Sequence, residues 1–178
     1  MASASPDPAH GPSSRSAALR LADLLDAVNR CIGLAVRWLA LAMVLVQFVI
    51  VLMRYVFGVS FVWADEGVMY LHASLFMLGA GYTLLVDGHV RVDVVSARLS
   101  DRARRAIDLA GHLLLLIPSM TVLLLWSWPS VARAWSVLEG PVSVGGIPAS
   151  FLLKSLIPAF CALLIVQALA HCARQVVR

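Results

Sequence analysis

The chain has 178 residues, of which 61% are apolar and only 13% charged. Soluble domains average roughly 45–50% apolar and about 25% charged residues, so this composition excludes an ordinary soluble globular protein. The net charge of +4 comes from basic residues that are spread along the chain, which argues against a nucleic-acid-binding protein.

Four uncharged stretches account for the apolar excess: residues 38–53, 67–86, 109–132 and 155–173. Because about 20 helical residues cross the hydrocarbon core of a bilayer, the last three are long enough. The first reaches that length through the apolar residues that precede Arg37, since an arginine near a helix end can extend its charge to the membrane surface. The sequence therefore predicts an all-α integral membrane protein with four transmembrane helices, at approximately 31–53, 67–86, 106–129 and 150–173, in one domain over residues 18–178.

Residues 1–17 contain three prolines among small polar residues, and we expect them to form a disordered tail. Beyond this tail, apolar residues recur at helical spacing opposite a polar face, at Leu21, Leu25, Val28 and Ile32. The pattern predicts an amphipathic N-terminal helix ahead of the first transmembrane helix. Two arrangements fit it equally well: a helix lying along the membrane surface, and a plain extension of the first transmembrane helix.

The basic residues are unevenly divided between the two sides of the membrane. Eleven of the 14 lie in the N-terminal segment, in the loop between helices 2 and 3, and in the C-terminal tail, whereas only Arg54, Arg133 and Lys154 lie on the other side. By the positive-inside rule, both termini are expected in the cytoplasm of a cell whose inner, or plasma, membrane holds the protein.

The outer loop between helices 1 and 2 carries five candidate structural or partner-binding residues: Arg54, Ser60, Trp63, Asp65 and Glu66. In one interpretation its aromatic side chains anchor the loop in the membrane interface, Ser60 caps the short helical turn that it opens, and the two acidic residues favour the positive end of the next helix. In the other, Arg54 pairs with Asp65 or Glu66 and fixes how helices 1 and 2 meet, or it meets a charge on a partner.

Helix 2 carries small residues seven positions apart, with Ala73 and Ala80 on one seam and Gly81 beside them. Small residues let a neighbouring helix approach closely in lipid, so the seam predicts a tight helix contact. The neighbour is either a helix of this chain or one of a partner. A permanent partner is expected to bury this seam or the amphipathic N-terminal helix.

Three later features have structural consequences. The segment after helix 2, residues 87–95, alternates polar and apolar residues and predicts a short extended piece, and Ser100 then resembles a helix N-cap. Pro118, Pro129 and Pro158 each remove a backbone hydrogen bond and predict kinks in helices 3 and 4.

Few polar side chains lie inside the predicted helices, the candidates being Gln47, His72, Ser119 and Thr121. Transport through this chain alone is therefore not expected, because carriers need polar groups near the middle of the membrane. No metal-ligand spacing or phosphate-binding glycine loop occurs, so we expect no cofactor and no enzyme.

Two alternatives remain open. His112 and His171 share a depth, which leaves room for a haem- or quinone-binding membrane anchor, and self-assembly leaves room for a small carrier or channel.

The outer loop and its neighbours follow a recognisable order of motifs. Arg54-Tyr55-x-Phe57-x-x-Ser60-x-x-Trp63-x-Asp65-Glu66 precedes a helix whose second half is rich in glycine, and Gly88-His89-Val90-Arg91-Val92-Asp93 and Gly146-Ile147-Pro148 follow. This order resembles the small, DctQ-like membrane subunit of tripartite ATP-independent periplasmic (TRAP) transporters over nearly the whole chain.

The resemblance implies a structural function and two protein partners. In that family a large membrane subunit carries substrate and sodium by an elevator-like movement, a soluble periplasmic binding protein delivers the solute, commonly an organic acid, and the small subunit enlarges the static scaffold within the lipid. By analogy, Arg54, Trp63, Asp65 and Glu66 set the structure of the outer face. Lys154 is a polar contact at the start of helix 4. By the same analogy, the inner loop is expected to be ordered by Gly88, His89, Arg91 and Asp93, and no solute-binding residue is implied.

Overall fold

The computed structural model of the chain describes residues 12–86 and 100–177, and every regular element in them is a helix. Helix α1 spans Pro12–Phe57 and α2 spans Val62–Leu85. Helix α3 has three consecutive parts, Asp101–Ala110, Gly111–Leu116 and Ile117–Ser136, and α4 spans Ser150–Val177. Each of the four contains a segment long and apolar enough to cross a membrane, so the predicted all-α fold with four transmembrane helices is confirmed.

Helix α1 runs without interruption through the amphipathic stretch into the membrane span. The amphipathic residues therefore extend the first transmembrane helix and do not form a separate surface helix. The helix begins at Pro12, inside the segment for which a tail was expected, and residues 1–11 lie outside the described part of the chain. The division into a tail and a domain at residue 18 stays a prediction. The inner-loop residues Gly88, His89, Arg91 and Asp93 also lie outside the described residues.

The four helices do not form a symmetrical bundle. Helices α1, α2 and α4 pack against one another, whereas α3 packs along α4. In the most apolar window of α4, 28% of the residues are buried, compared with 6% in α3. Helix α4 is thus the centre of the domain, and α3 leaves most of its surface to lipid or to a partner.

Two helix ends depend on residues in the left-handed backbone region. Gly58, at φ 66°, ends α1 and turns the chain into the short linker before α2. Leu138, at φ 44°, follows α3, and the backbone N–H groups of Leu138 and Glu139 donate to the carbonyls of Trp135 and Ala134. This is the Schellman pattern, in which glycine is the usual residue at the position that Leu138 occupies.

Helix α3 combines a capped start with an irregular middle. The side chain of Ser100 accepts a hydrogen bond of 3.3 Å from the backbone N–H of Ala103, which confirms the predicted N-cap. The next irregularity is the π-helical part Gly111–Leu116, directly before Pro118. Because proline has no N–H to donate to the carbonyl four residues earlier, the regular α-helical hydrogen bonding cannot continue through this point.

Candidate functional site

The end of the domain opposite the chain termini is fastened by ionic and hydrogen-bonding side chains, which we call the outer cluster: Arg54, Ser60, Asp65, Glu66, Glu139, Ser150 and Lys154. At its centre lies Glu66, which as a whole residue is only 6% exposed. Its two oxygens accept hydrogen bonds of 2.7 Å from the backbone N–H groups of Ser143 and Ile147. A residue near the start of α2 therefore holds the loop between α3 and α4.

This carboxylate also explains a glycine in the same loop. A Cβ atom added to Gly146 would overlap the Glu66 carboxylate. The Gly146-Ile147-Pro148 motif therefore lets the backbone approach close enough to donate two hydrogen bonds to one carboxylate. The sequence placed Glu66 at a helix start, but it did not indicate that its partners would be backbone groups some 80 residues away.

Arg54 pairs with Asp65, one of the partners predicted from the sequence. Its guanidinium donates to the Asp65 carboxylate at 3.0 Å and to the Ser60 hydroxyl at 3.1 Å, joining the end of α1 to the start of α2. Phe61 occupies the N-cap position of α2 and has no side-chain capping bond, so the capping function predicted for Ser60 is corrected: its hydroxyl is an acceptor for Arg54. Trp63 is more than half exposed, with its ring 5.9 Å from that of Phe61.

Lys154 is a polar contact near the start of α4, and its partner belongs to this chain. Its ammonium group donates to both oxygens of Glu139, at 2.8 and 2.5 Å. Close by, the hydroxyl of Ser150 donates to the carbonyl of Gly140, and the indole N–H of Trp135 donates to the hydroxyl of Ser155. These bonds close the turn between α3 and α4.

The end of the domain that carries the chain termini has a second polar group, which we call the inner cluster: Asp23, Asp26, Asn29, Gln167 and Arg174. Asn29 is fully buried, and its amide donates to the Gln167 side chain at 2.9 Å. Gln167 in turn donates to Asp26 at 2.8 Å, and Arg174 makes ion pairs with Asp23 and Asp26. The cluster fastens α1 to α4.

Sequence reasoning missed this cluster, although a signal was present. Gln167 is the only amide side chain in the uncharged stretch 155–173, and Asn29 precedes the first such stretch. In lipid, buried amides commonly bond across helices, and a pair of them on two helices indicates a contact. Their pairing could not be derived, because α1 and α4 are far apart in the sequence.

Gly81 lies in the helix contact that the small-residue seam predicted, and its neighbours belong to this chain. A Cβ atom at Gly81 would overlap the side-chain amide of Asn29 and would lie 3.2 Å from the Cβ atom of Leu163. The other two seam residues, Ala73 and Ala80, are half-buried. Gly81 therefore serves the internal packing of α2 against α1 and α4, and only Ala73 and Ala80 retain surface that a partner can cover.

His112 and His171 meet at the junction of α3 and α4. Their rings are nearly parallel, with centroids 4.8 Å apart and an interplanar angle of 7°. A ligating imidazole directs a ring nitrogen, which lies in the plane of the ring, at the metal, whereas these two rings face each other through their π surfaces. The Nδ1 atom of His112 lies 2.7 Å from the carbonyl of Asp108. The arrangement is that of a packing contact between two helices.

The polar groups of the described residues thus hold helices together. No group of three or more His, Cys, Asp or Glu side chains in residues 12–86 and 100–177 is arranged to hold a metal ion. Both clusters lie towards the ends of the helices, and the side chains in them bond to one another or to the backbone.

The sequence of this chain is similar to those of known membrane transport proteins. The family described as "Tripartite ATP-independent periplasmic transporters, DctQ component" matches residues 43–178, about three quarters of the chain. A relative in Vibrio cholerae serotype O1, the C4-dicarboxylate TRAP transporter small permease protein DctQ, is 34% identical over 101 residues. That alignment covers 53% of this chain and 42% of the relative. The chain therefore belongs to the DctQ family of TRAP transporter small permease subunits, which are components of transporters and not enzymes, and it is a multi-pass protein of the bacterial inner membrane.

Proposed function

We propose that this chain is the static scaffold subunit of a TRAP transporter. It binds a large membrane subunit, which performs sodium-coupled uptake of an organic acid, and a periplasmic binding protein delivers that acid to the complex. Both termini face the cytoplasm, in accordance with the distribution of basic residues.

One observation carries the proposal: most apolar residues of the described helices are not buried within the chain. In the most apolar 18-residue window of each of the four candidate spans, between 6% and 28% of the residues are buried within the chain. Helix α3 presents exposed leucines and tryptophans along most of its length, such as Leu114, Leu125 and Trp126. A chain of this shape is suited to widening a larger membrane protein.

The interior supports the same conclusion. A carrier needs polar or ionisable groups near the middle of the membrane that a solute can reach. Here the buried polar residues belong to the two clusters or to the junction of α3 and α4, and Glu66, Asn29 and Gln167 bond within the chain. Their hydrogen bonds stabilise contacts between helices, in keeping with a static subunit.

The decisive experiment is affinity purification of the tagged chain from its native membrane in mild detergent. A large multi-span membrane protein should co-purify in a fixed ratio. Vesicles are reconstituted with that protein alone, with this chain alone and with both, and sodium-dependent uptake of an organic acid should occur only where the large subunit is present. Solute uptake by this chain alone would favour the carrier alternative, and a Soret absorption band in the purified chain would favour the haem anchor.

A further inference from the structure

An apolar crevice opens between α1, α2 and α4, on the side of the small-residue seam. Its volume is about 500 Å³, and its wall includes Gly33, Gly79, Ala80 and Phe160. We call it the seam crevice. The ring of Tyr82 packs directly against Gly33, where an added Cβ atom would overlap the ring. At Gly79, by contrast, an added Cβ atom would make only an ordinary contact, 3.8 Å from Val36. The crevice thus has space above Gly79 that the described part of the chain does not fill.

Of the described residues that line the seam crevice, Arg37 alone is charged. Its guanidinium lies 5.6 Å from the centre of the Trp38 ring, and among the described residues it has no carboxylate partner. Arg54, at the other end of α1, is by contrast paired with Asp65. Side chains on a helix lean towards its N-terminus, so the guanidinium of Arg37 is directed towards the end of the domain that carries the chain termini.

An exposed arginine at the edge of an apolar span requires an anion or water, because the unpaired charge is costly in hydrocarbon. Arginine matches the geometry of a phosphate group with its planar fork of donors. Basic pockets between transmembrane helices bind the headgroups of anionic lipids for this reason. The seam crevice combines such a donor with an apolar wall that extends along α2 from Thr83 to Leu75, about 12 Å at 1.5 Å per residue.

We infer that the seam crevice binds one anionic phospholipid, with its phosphate on Arg37 and one acyl chain lying over Gly79 and Ala80. The lipid comes from the leaflet on the side of the chain termini. This inference concerns lipid and does not depend on which protein partners the chain has.

Trp38 provides a local reporter, because it is exposed and adjacent to Arg37. The other four tryptophans, Trp63, Trp126, Trp128 and Trp135, are replaced by phenylalanine in the full chain. The protein is reconstituted in phosphatidylcholine vesicles that contain a minor fraction of phosphatidylglycerol. Bromine atoms, which quench tryptophan fluorescence, are placed on the acyl chains of one lipid or the other at equal mole fraction. Brominated phosphatidylglycerol should quench Trp38 more strongly than brominated phosphatidylcholine.

The charge on Arg37 is tested with a matched pair of variants. Arg37→Gln should lower the preference for phosphatidylglycerol about fivefold, the factor expected for one basic residue near an anionic surface. Arg20→Gln removes the same charge from the same helix, far from the crevice, and should leave the preference unchanged. If both variants lost the same amount of preference for phosphatidylglycerol, the lipid would be attracted to the basic surface as a whole and not to the crevice. That result would overturn the inference.

The shape of the crevice is tested without changing any charge. Gly79→Leu fills the space above the seam and should reduce the number of phosphatidylglycerol molecules retained in native mass spectrometry. Gly67→Leu, the matched control, makes the same change in the same helix, where an added Cβ atom lies 3.8 Å from Ile147. Circular dichroism checks helical folding in each variant, and Ala80→Leu replaces Gly79→Leu if the latter does not insert.

Three outcomes would overturn the inference. The first is equal quenching by the two brominated lipids. The second is unchanged lipid retention in a folded crevice-filling variant. The third is loss of the lipid preference as the protein-to-lipid ratio rises, which would place a second copy of the chain in the crevice.

Discussion

The outer and inner clusters fasten helices at opposite ends of the domain by different chemistry. In the outer cluster, charged groups meet at the membrane boundary, and the pairs Arg54–Asp65 and Lys154–Glu139 remain partly exposed. In the inner cluster, the neutral amides of Asn29 and Gln167 are almost fully buried between α1 and α4. Exposed ion pairs contribute little to stability, whereas an unsatisfied buried polar group is costly. Burial, and not formal charge, should therefore decide which residues matter most.

Gly81 offers the strongest test of the buried contact in the inner cluster. Gly81→Ala should destabilise the folded chain by about 3 kcal/mol, because the new methyl group overlaps the buried amide of Asn29. Gly79→Ala, two residues away in the same helix, meets only Val36 at ordinary distance and should be neutral or slightly stabilising. Thermal unfolding in detergent, followed by circular dichroism, measures both. Similar losses in the two variants would contradict the packing around Gly81.

In the outer cluster, neighbouring carboxylates allow a matched comparison. Glu66→Gln should destabilise the chain more than Asp65→Asn, since one of the two backbone N–H groups loses its acceptor and faces an amide N–H₂ instead. Asp65→Asn affects an exposed ion pair and should cost less than about 1 kcal/mol. Denaturant titration in mixed micelles compares the two variants. A larger loss of stability in Asp65→Asn than in Glu66→Gln would contradict the order that burial predicts.

A double-mutant cycle measures the contribution of the hydrogen bond between Asn29 of α1 and Gln167 of α4 to stability. Asn29→Leu and Gln167→Leu, alone and together, should show a coupling of about 1 kcal/mol, a typical size for one hydrogen bond between helices in a membrane. Asn29→Leu combined with Ser155→Ala is the control, because Ser155 bonds to Trp135 near the opposite end of the domain. A coupling near zero for the first pair would mean that the bond adds no stability.

The smallest effect concerns the turn that the outer cluster holds. Leu138→Gly should stabilise the chain by about 0.5–1 kcal/mol, because glycine adopts the left-handed backbone at φ 44° without the steric cost of a side chain. Gly145→Ala, at φ 84° in the same loop, should be destabilising by a similar amount. Changes of opposite sign in the thermal unfolding temperature of the two variants would support this interpretation of the loop. Changes of the same sign would contradict it.

Much of the fold followed from the sequence, because length and hydropathy alone define a membrane span. The four helices, the N-cap at Ser100 and the pairing of Arg54 with Asp65 were all within reach, since each depends on residues close together in the chain. The capping function of Ser60 was wrong, because its hydroxyl bonds to Arg54 and helix α2 begins only at Val62.

The remaining contacts join residues that no local pattern connects. The two backbone partners of Glu66 became accessible only when the loop between α3 and α4 folded over the start of α2. Asn29 and Gln167 meet because α4 lies between α1 and α3, an order that hydropathy does not specify. Long-range pairing in a membrane depends on complementary surfaces, which hydropathy and local spacing in a single sequence do not specify.

The position of α3 against α4 has a consequence for how the protein enters the membrane. Since α3 packs along α4, it has no comparable support from α1 or α2 while α4 is still being synthesised. Helices α1 and α2 can associate early as a pair, but α3 lacks its main packing partner in the bilayer until α4 has been inserted. The short turn closed by Lys154 and Glu139 then brings the two together as a hairpin, so biogenesis in this protein should proceed by pairs of helices.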